Sequence, residues 1–394
     1  MEKKDDEIGQ LDLFSTEESK SIKKEPRAKN IPANEKKAKN TESSASIFGW
    51  HFQIVTGIIF SLLHIEELES VEIEGATEDI ELHFHENKSE YIQVKSIQKN
   101  PIDSKDNSKA TDAMNTLINT SNLTKGTYSK LVYVVNFRNP LNLSESILAA
   151  SWMPKENRAY IRPYTALPEE AQKFIHSRVS AAQKQLDKKY LSSIDNFDYG
   201  RLFIATILFG SDERDQERFS ALEGALEDFF LKLKLGISPS KINRVKNMLE
   251  NYYIVNAGSN EYSEWHQIIT KERLIWRIIF EIIDEVPAEF LDSAPMEIQT
   301  ELQIYGDDFF AKQAGKIEIV NQILAGLKQY YPDKEPSKSV CNDFIDSHWK
   351  TYRDLFPIAD ENQSLREYGT KMIMLRAIRN KRTINNIKRK VNLK

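Results

Sequence analysis

The sequence has little cysteine and no long hydrophobic run. Cys341 is its single cysteine, which excludes a disulfide-stapled scaffold and a cysteine-ligated zinc cluster. The longest apolar runs, at 58–63 and 202–209, are far shorter than the roughly 20 residues of a membrane span. The first residues are charged and lack the apolar core of a secretory signal. We therefore expect a cytoplasmic protein that binds no membrane.

The chain also has no excess of positive charge. Its Lys and Arg residues number 54 against 59 Asp and Glu, which gives a net charge of −5. This balance argues against a protein that coats nucleic acid, although local basic patches can still bind phosphate. The sequence contains no Gly-x4-Gly-Lys-Ser/Thr loop, so we do not expect it to hydrolyse ATP itself.

Three segments of different character make up the 394 residues. Residues 1–45 contain ten acidic and ten basic residues and almost no apolar ones, which predicts a disordered tail. Residues 46–212 mix helical and strand patterns and predict an α/β domain. Residues 213–394 show mainly helical spacing and predict a mostly α-helical region.

Hydrophobic periodicity predicts the individual elements. Helices are expected over 49–63, 110–119, 168–190, 215–235, 241–254, 271–284, 317–330 and 368–390. Strands are expected as a meander over 71–74, 79–85 and 91–97, and as central strands over 131–137 and 201–209. The apolar runs of the central strands indicate burial on both faces.

The meander contains the residues that are candidates for catalysis. Gln93 and Lys95 are two positions apart and therefore share one face of their strand. A hairpin would bring Asp79, on the preceding strand, beside both of them. A carboxylate, a second oxygen ligand and a lysine are what metal-dependent phosphodiester hydrolysis requires. Spacing alone, however, favours a solvated sheet face for the same residues.

Three segments in order resemble a known family: 49–53 (Gly-Trp-His-Phe-Gln), 73–80 and 92–96 (Ile-Gln-Val-Lys-Ser). They are similar to the nuclease domain of bacterial antiphage effectors, which are restriction-endonuclease-like enzymes of the PD-(D/E)XK superfamily. Such domains are known from cyclic-oligonucleotide immune operons and from the nuclease subunit of Lamassu systems. This branch commonly carries Gln in the middle position of the motif. The resemblance is clearest over 48–97 and continues more weakly through both central strands.

The resemblance implies a DNA endonuclease domain that uses Mg²⁺ or Mn²⁺. Asp79 would be the main metal carboxylate, and Gln93 with the carbonyl of Val94 would complete the metal site. Lys95 would activate water. Gln in place of a carboxylate weakens such a metal site, so an inactive nuclease fold is an open alternative.

Three further residues have implied roles at the same site. Gln53 would lie on the helix that leans over the metal in this family, as part of the catalytic set. Glu74 or Glu78 would assist. These assignments come from the resemblance and not from spacing.

An apolar island interrupts the charged tail. It consists of Gln10, Leu11, Asp12, Leu13 and Phe14. The pentapeptide matches the motif by which bacterial proteins dock on the DNA-polymerase sliding clamp, where Leu and Phe anchors enter a hydrophobic pocket. The alternatives are a stray apolar cluster and a segment that docks on the protein's own domain.

The C-terminal segment 371–394 has nine Lys or Arg residues and no acidic residue. Together with its apolar positions it predicts a basic helix that binds DNA phosphates or an acidic partner subunit. A merely solvated basic face is the third interpretation. The candidate binding residues are Arg376, Arg379, Lys381, Arg382, Lys388, Arg389 and Lys390.

The sequence therefore predicts the metal-dependent endonuclease subunit of an antiphage complex. Two controllers are known in the family: a separate SMC-like ATPase complex and a fused α/β sensor of cyclic oligonucleotides. Because 213–394 has helical patterns, we favour a Lamassu-like subunit that binds an SMC-like ATPase and an accessory subunit. A homo-oligomer is also compatible with this interpretation. The alternatives are gating by a cyclic oligonucleotide and a non-catalytic DNA or sliding-clamp adaptor.

Overall fold

The computed structural model of the chain describes most residues after the tail. These are 43–98, 107–187, 194–210, 218–258, 268–283, 287–302, 304, 317–332, 335–355 and 362–393. The clamp-like motif at residues 10–14 lies outside the described residues.

Helices and strands alternate in the first part of the chain, and helices dominate the second. The strands are β1 (Leu68–Ile73), β2 (Ile80–Phe84), β3 (Lys88–Lys95), β4 (Lys130–Val135), β5 (Tyr160–Pro163), β6 (Leu202–Thr206) and β7 (Ile269–Thr270). The helices of the first part are α1 (Ser43–Leu63), α2 (Asn107–Leu123), α3 (Glu145–Ser151) and α4 (Glu169–Asp187). The later helices are α5 (Ser220–Lys232), α6 (Pro239–Ala257), α7 (Lys271–Ile282), α8 (Ala288–Asp292), α9 (Ile317–Tyr330), α10 (Lys338–Tyr352), α11 (Gln363–Arg379) and α12 (Lys381–Lys390).

The seven strands form one mixed sheet in the order β5-β6-β4-β3-β2-β1-β7. Strands β3, β4 and β6 are parallel, so their carboxyl ends lie at the same edge of the sheet. The remaining neighbours pair antiparallel. As the apolar run predicts, β4 is buried on both faces, since Leu131 to Val135 are at most 1% exposed.

Two hydrophobic clusters cover the two faces of the sheet. On one face, α1 residues such as Phe52 and Ile59 pack with Val132 and Val134. On the other face, residues of α2 and α4 such as Leu117 pack with Tyr133. The sheet is therefore the middle layer of a helix–sheet–helix sandwich.

The later helices extend the first of these clusters. Trp276 in α7, Phe344 in α10 and Ile384 in α12 are buried in the same cluster as α1. The hydroxyl of Tyr253 in α6 donates a 2.9 Å hydrogen bond to Ser61 of α1. The described part of the helical region thus packs on the helix that supports the sheet. The predicted boundary at residue 212 stays a prediction.

Within the described residues, one helical stretch, 46–63 in α1, is long and apolar enough to cross a membrane. It is 61% buried inside the protein. Such burial is ordinary for the central helix of a folded core, and length and composition alone are weak support for a membrane span.

The coarse architecture predicted from sequence is confirmed: an α/β part with a meander and central strands, then a mostly helical part. Some details were wrong. The helix expected over 368–390 is two helices, because the chain departs from helical geometry at Asn380 (φ −96°, ψ 8°). Sequence periodicity also missed α10 and the edge strands β5 and β7.

Candidate functional site

The candidate site lies where β2 begins and β3 ends. Asp79 immediately precedes β2, and the pairing of Ile80 with Ile92 places Asp79 opposite Gln93. The main-chain NH of Val94 donates a 2.7 Å hydrogen bond to Oδ2 of Asp79. Nε2 of Gln93 donates to the same oxygen. The structure therefore brings together the residues that the predicted hairpin places side by side.

The turn before Asp79 holds its carboxylate at this position. The main-chain NH of Glu74 donates to the carbonyl of Asp79 at 2.8 Å. Oε1 of Glu81 accepts hydrogen bonds from the NH and the hydroxyl of Thr77, at 2.8 and 2.9 Å. A Cβ on Gly75 would lie only 2.5 Å from that same oxygen, so a side chain there would displace Glu81 from its contacts with Thr77.

The side-chain amide of Gln93 is buried and fully engaged. The residue is 2% exposed. Besides Asp79, its Nε2 lies 3.4 Å from the carbonyl oxygen of Val94. Its Oε1 accepts a hydrogen bond from the hydroxyl of Thr116 on α2. The amide thus connects the end of β3 to both the Asp79 carboxylate and α2.

Helix α1 supplies a second amide to the site. The side chain of Gln53 lies close to the carboxyl groups of Asp79 and Glu74 and lowers the pKa of both. A glutamine amide carries two N–H donors, so one side chain can serve both carboxylates. The neighbouring Phe52 and Ile54 are fully buried in the core, which fixes the position of Gln53 on the helix.

Burial dominates the electrostatics of the two carboxyl groups. It raises the pKa of Asp79, and the NH of Val94 and the charge of Lys95 offset part of that rise. Partial burial also raises the pKa of Glu74, and the nearby charge of Asp79 raises it further, whereas Gln53 and Lys95 lower it. Raised carboxyl pKa values beside a lysine are typical of functional sites.

Glu78 is a buried carboxyl group beside Asp79. It is 5% exposed, and its Oε1 accepts a 2.7 Å hydrogen bond from the hydroxyl of Thr120. Its Oε2 is buried and has no hydrogen-bond partner among the described residues. Burial raises the pKa of Glu78 to about 8, with a smaller upward contribution from Asp79. Glu78 is therefore protonated at neutral pH.

Lys95 lies on an open cleft of about 380 Å³ next to these carboxyl groups. Helix α1 approaches the end of β3 closely here. A Cβ added to Gly49 would lie 3.3 Å from Oγ of Ser96. An aromatic ring and basic groups also border the cleft. Its lining includes Trp50, Gln53, Glu74, Lys95, Gln98 and Lys109.

Asn136 is a structural residue of the site that sequence patterns missed. It is fully buried and follows β4. Its side chain accepts from the NH of Ile97 at 2.8 Å and donates to the carbonyls of Ile97 and Phe209 at 2.9 Å. One amide therefore ties together the chain segments that leave β3 and β6 beside the cleft.

The donor atoms indicate which metal the site would suit. In the described part of the chain, no group of three or more His, Cys, Asp or Glu side chains is placed to hold a metal. The oxygens of Asp79 and of the Val94 carbonyl both contact Nε2 of Gln93, and Oε1 of Gln93, which contacts Thr116, would join them if the amide turned over. An oxygen set with few carboxylates fits Mg²⁺ or Mn²⁺, since Mg²⁺ takes one or two carboxylates and keeps several waters. It does not fit structural zinc, which prefers nitrogen and sulfur.

The predicted basic surface of the C-terminal helices needs one correction. Arg376 is 7% exposed, and its guanidinium donates to the carbonyl of Phe280 at 3.1 Å. It is therefore a core residue, because its turn of α11 faces α7. Arg379 is exposed as expected.

The other predicted basic residues lie on α12. Arg382, Arg389 and Lys390 are exposed, and Lys381 and Lys388 are half-buried. Some are engaged within the chain: Arg382 pairs with Glu335, and Lys388 donates to Asn321 at 3.1 Å. Their role in binding DNA or a partner stays a prediction.

Comparisons with known proteins gave structural neighbours only. No protein-family model matches the chain, and no curated protein matches its sequence. Among solved structures, the Acinetobacter baumannii Cap4 SAVED/CARF-domain containing receptor with the cyclic trinucleotide 2'3'3'-cAAA matches at a TM-score of 0.34 and 11% identity, over 60% of this chain and 48% of the receptor. The Moraxella osloensis Cap4 SAVED/CARF-domain containing receptor matches at a TM-score of 0.31 and 9% identity, over 59% of this chain and 47% of that one.

This chain spans about half the length of the receptors it matches. TM-scores at this level do not establish a shared fold, and the identities are too low to transfer a function. The chemistry of the site therefore has to be inferred from its own residues.

Proposed function

We propose that the chain is a metal-dependent nuclease that hydrolyses phosphodiester bonds in DNA as an effector of antiphage defence. Its α/β part would be a restriction-endonuclease-like domain. The observation that carries the proposal is the convergence of Asp79, Gln93 and Val94 at the carboxyl end of β3, one residue before Lys95.

Each residue has a part in this chemistry. The carboxylate of Asp79, the carbonyl of Val94 and the amide oxygen of Gln93 would hold Mg²⁺ or Mn²⁺. The metal, when bound, supplies a water of lowered pKa. Lys95 orients the attacking water, and its positive charge offsets the negative charge that develops on the phosphate. Gln53 keeps the carboxyl groups oriented toward the cleft.

The electrostatics support a cation at this position. Burial raises the pKa of Asp79, Glu74 and Glu78 together, and Asp79 raises the pKa of the other two. Such a cluster disfavours full ionisation without compensating positive charge. Lys95 supplies part of that charge, and a divalent cation would supply more.

The test is cleavage of supercoiled plasmid by the full chain with Mg²⁺. Wild type, Asp79→Asn and Lys95→Ala are compared with Lys88→Ala, which removes an exposed lysine at the other end of the same strand. We expect Asp79→Asn and Lys95→Ala to abolish cutting and Lys88→Ala to retain it. Equal cutting by wild type and Asp79→Asn would overturn the proposal.

An unrestrained nuclease would damage its host, so we expect low activity from the chain alone. The cleavage assay therefore has three arms: no addition, an SMC-like ATPase with its accessory subunit, and a cyclic trinucleotide. Stimulation by the ATPase supports a Lamassu-like subunit. Stimulation by the cyclic trinucleotide supports gating by a cyclic oligonucleotide. Uncut plasmid in all three arms would overturn nuclease activity.

A second candidate is a non-catalytic DNA or sliding-clamp adaptor. It is favoured by Gln93, because an amide in place of a carboxylate weakens such a metal site. Protection of cells against phage separates the two functions. An adaptor would tolerate Lys95→Ala and fail with Phe14→Ala, whereas a nuclease would fail with Lys95→Ala.

A further inference from the structure

The hydroxyl of Thr116 contacts two acceptors but carries a single proton. Its Oγ lies 3.0 Å from the carbonyl oxygen of Ala113, three residues earlier on α2. It also lies in hydrogen-bonding contact with Oε1 of Gln93. A threonine hydroxyl in a helix commonly donates to the carbonyl three or four residues earlier. Thr116 can therefore donate fully to only one of its two acceptors.

The acceptor to which Thr116 donates determines the orientation of the Gln93 amide. When the hydroxyl donates to Gln93, the amide presents Nε2 to Asp79 and to the carbonyl of Val94. When the hydroxyl donates to Ala113, its lone pairs can accept from Nε2 of Gln93 instead. The amide oxygen would then face the other two oxygens, and three oxygens facing one another are stabilised by a cation.

We infer that Thr116 is a positioning residue that sets which end of the Gln93 amide faces Asp79, and that a half-turn of this amide accompanies binding of Mg²⁺ or Mn²⁺. The inference rests on the metal site of the proposed function. The NH₂ and oxygen ends of an amide differ little in size, so the half-turn needs no repacking of α2. In the present orientation, Nε2 satisfies the two oxygens that a cation would otherwise bind.

The half-turn changes the number of hydrogen bonds that Thr116 makes. Before it, one proton is shared between Gln93 and Ala113. After it, Thr116 donates to Ala113 and accepts from Gln93, so both contacts are satisfied. Cation binding therefore gains about one hydrogen bond at this residue. Removal of the hydroxyl should weaken divalent-metal affinity by about five- to tenfold, which is the net effect of one such bond.

The experiment is calorimetric titration of Mn²⁺ into the full chain. Wild type, Asp79→Asn, Thr116→Val, Thr116→Ser, Gln93→Glu and the double variant Gln93→Glu with Thr116→Val are compared, after thermal melting has shown that each variant folds. Thr116→Val keeps the shape of the side chain, and Thr116→Ser keeps the hydroxyl. A carboxylate at position 93 has two equivalent oxygens, so no half-turn is needed in the Gln93→Glu background.

We expect Thr116→Val to weaken Mn²⁺ binding about five- to tenfold in the wild-type background and less than twofold in the Gln93→Glu background. Thr116→Ser, which keeps the hydroxyl, should bind Mn²⁺ with wild-type affinity. An equal loss in both backgrounds, or no loss in either, would overturn the role of Thr116 while leaving the metal site intact. The metal site itself fails if wild type binds no Mn²⁺ or if Asp79→Asn binds it as tightly as wild type.

Discussion

The main-chain NH of Val94 donates a 2.7 Å hydrogen bond to Oδ2 of Asp79, a residue 15 positions earlier in the chain. This contact places a carboxylate from the start of an antiparallel strand at the carboxyl end of a parallel one. Ligand sites in parallel sheets commonly form at that edge, because the loops that follow the strands gather there. The contact thus links the meander to the part of the sheet where a substrate would bind.

The same contact counteracts the effect of burial on Asp79, which is half-buried. Burial alone would favour its protonated form. Hydrogen bonds from Val94 and Gln93, the nearby amide of Gln53 and the charge of Lys95 favour the ionised form. These contacts offset part of the rise in the pKa of Asp79 that burial causes.

Glu78 makes the stability of the protein depend on pH. Its pKa is about 8 in the folded chain against an ordinary value of 4.5. Between these values the folded state holds a proton that the unfolded state has lost, so the stabilising contribution of Glu78 declines as pH rises from 4.5 and is gone above about 8. Glu78→Gln keeps an acceptor for Thr120 and has no proton to lose. We expect its melting temperature to exceed that of wild type increasingly between pH 5 and about 8.

Matched melting curves test this expectation. Glu227→Gln removes a carboxyl group from an exposed position on α5 and serves as the control. Its difference from wild type should stay flat over the same pH range. A flat difference for Glu78→Gln as well would contradict the raised pKa.

Gln53→Met should shift the pH profile of the proposed nuclease. The substitution removes a donor that favours the ionised forms of both Asp79 and Glu74, so the pKa of both groups rises further. As the pH is lowered, activity and Mg²⁺ binding should then be lost at a higher pH than in wild type. Gln98→Met, from the lining of the same cleft, should leave that side of the profile in place. Coincident profiles for Gln53→Met and wild type would show that Gln53 does not act on these carboxyl groups.

Local patterns were enough to predict the hairpin at the site. Alternating polarity predicted both strands, and the turn between them is short, with Glu86 and Asn87 at positive φ of 65° and 57°. In an antiparallel hairpin, strand length and turn together determine the register. The juxtaposition of Asp79 and Gln93 could therefore be predicted without any tertiary information.

Long-range partners could not be predicted in this way. Thr120 meets Glu78 from 42 positions away, and Asn136 meets Ile97 from 39 positions away. Neither contact leaves a periodic signal, because each depends on how a helix or loop docks on the sheet. Arg376 was misjudged for the same reason: a basic residue in a basic segment is expected on the surface, and its burial depends on the packing of α11 against α7.

Arg376→Ala and Arg379→Ala separate the core from the surface of α11. Arg376 is buried and hydrogen-bonded to the carbonyl of Phe280, so its truncation leaves a cavity and removes that bond. We expect it to lower the free energy of unfolding by about 2 kcal/mol. Arg379 is exposed, and its truncation should leave stability within about 0.5 kcal/mol of wild type. Urea unfolding measures both, and equal stabilities would contradict the buried position of Arg376.

A second polar cleft, of about 530 Å³, lies at the same edge of the sheet as Lys95. The lining of this cleft includes Arg138, Lys155 and Leu208. Arg138 and Leu208 follow β4 and β6, whose carboxyl ends lie beside that of β3. Neighbouring strands are about 4.8 Å apart, so β6 lies roughly 10 Å from β3. If DNA binds at Lys95, its phosphates can extend across this distance to Arg138 and Lys155, both of which are exposed.

We therefore expect the double variant Arg138→Glu with Lys155→Glu to weaken DNA binding by tenfold or more at low salt. Because each phosphate contact contributes about 0.9 to the slope of log affinity against log salt, the slope should fall by nearly 2. Lys173→Glu, a charge reversal at an exposed position on α4 away from the cleft lining, is the control and should alter neither quantity. Fluorescence anisotropy with labelled duplex, in Ca²⁺ to prevent cutting, measures both. A slope unchanged in the double variant would show that the DNA leaves the site in another direction.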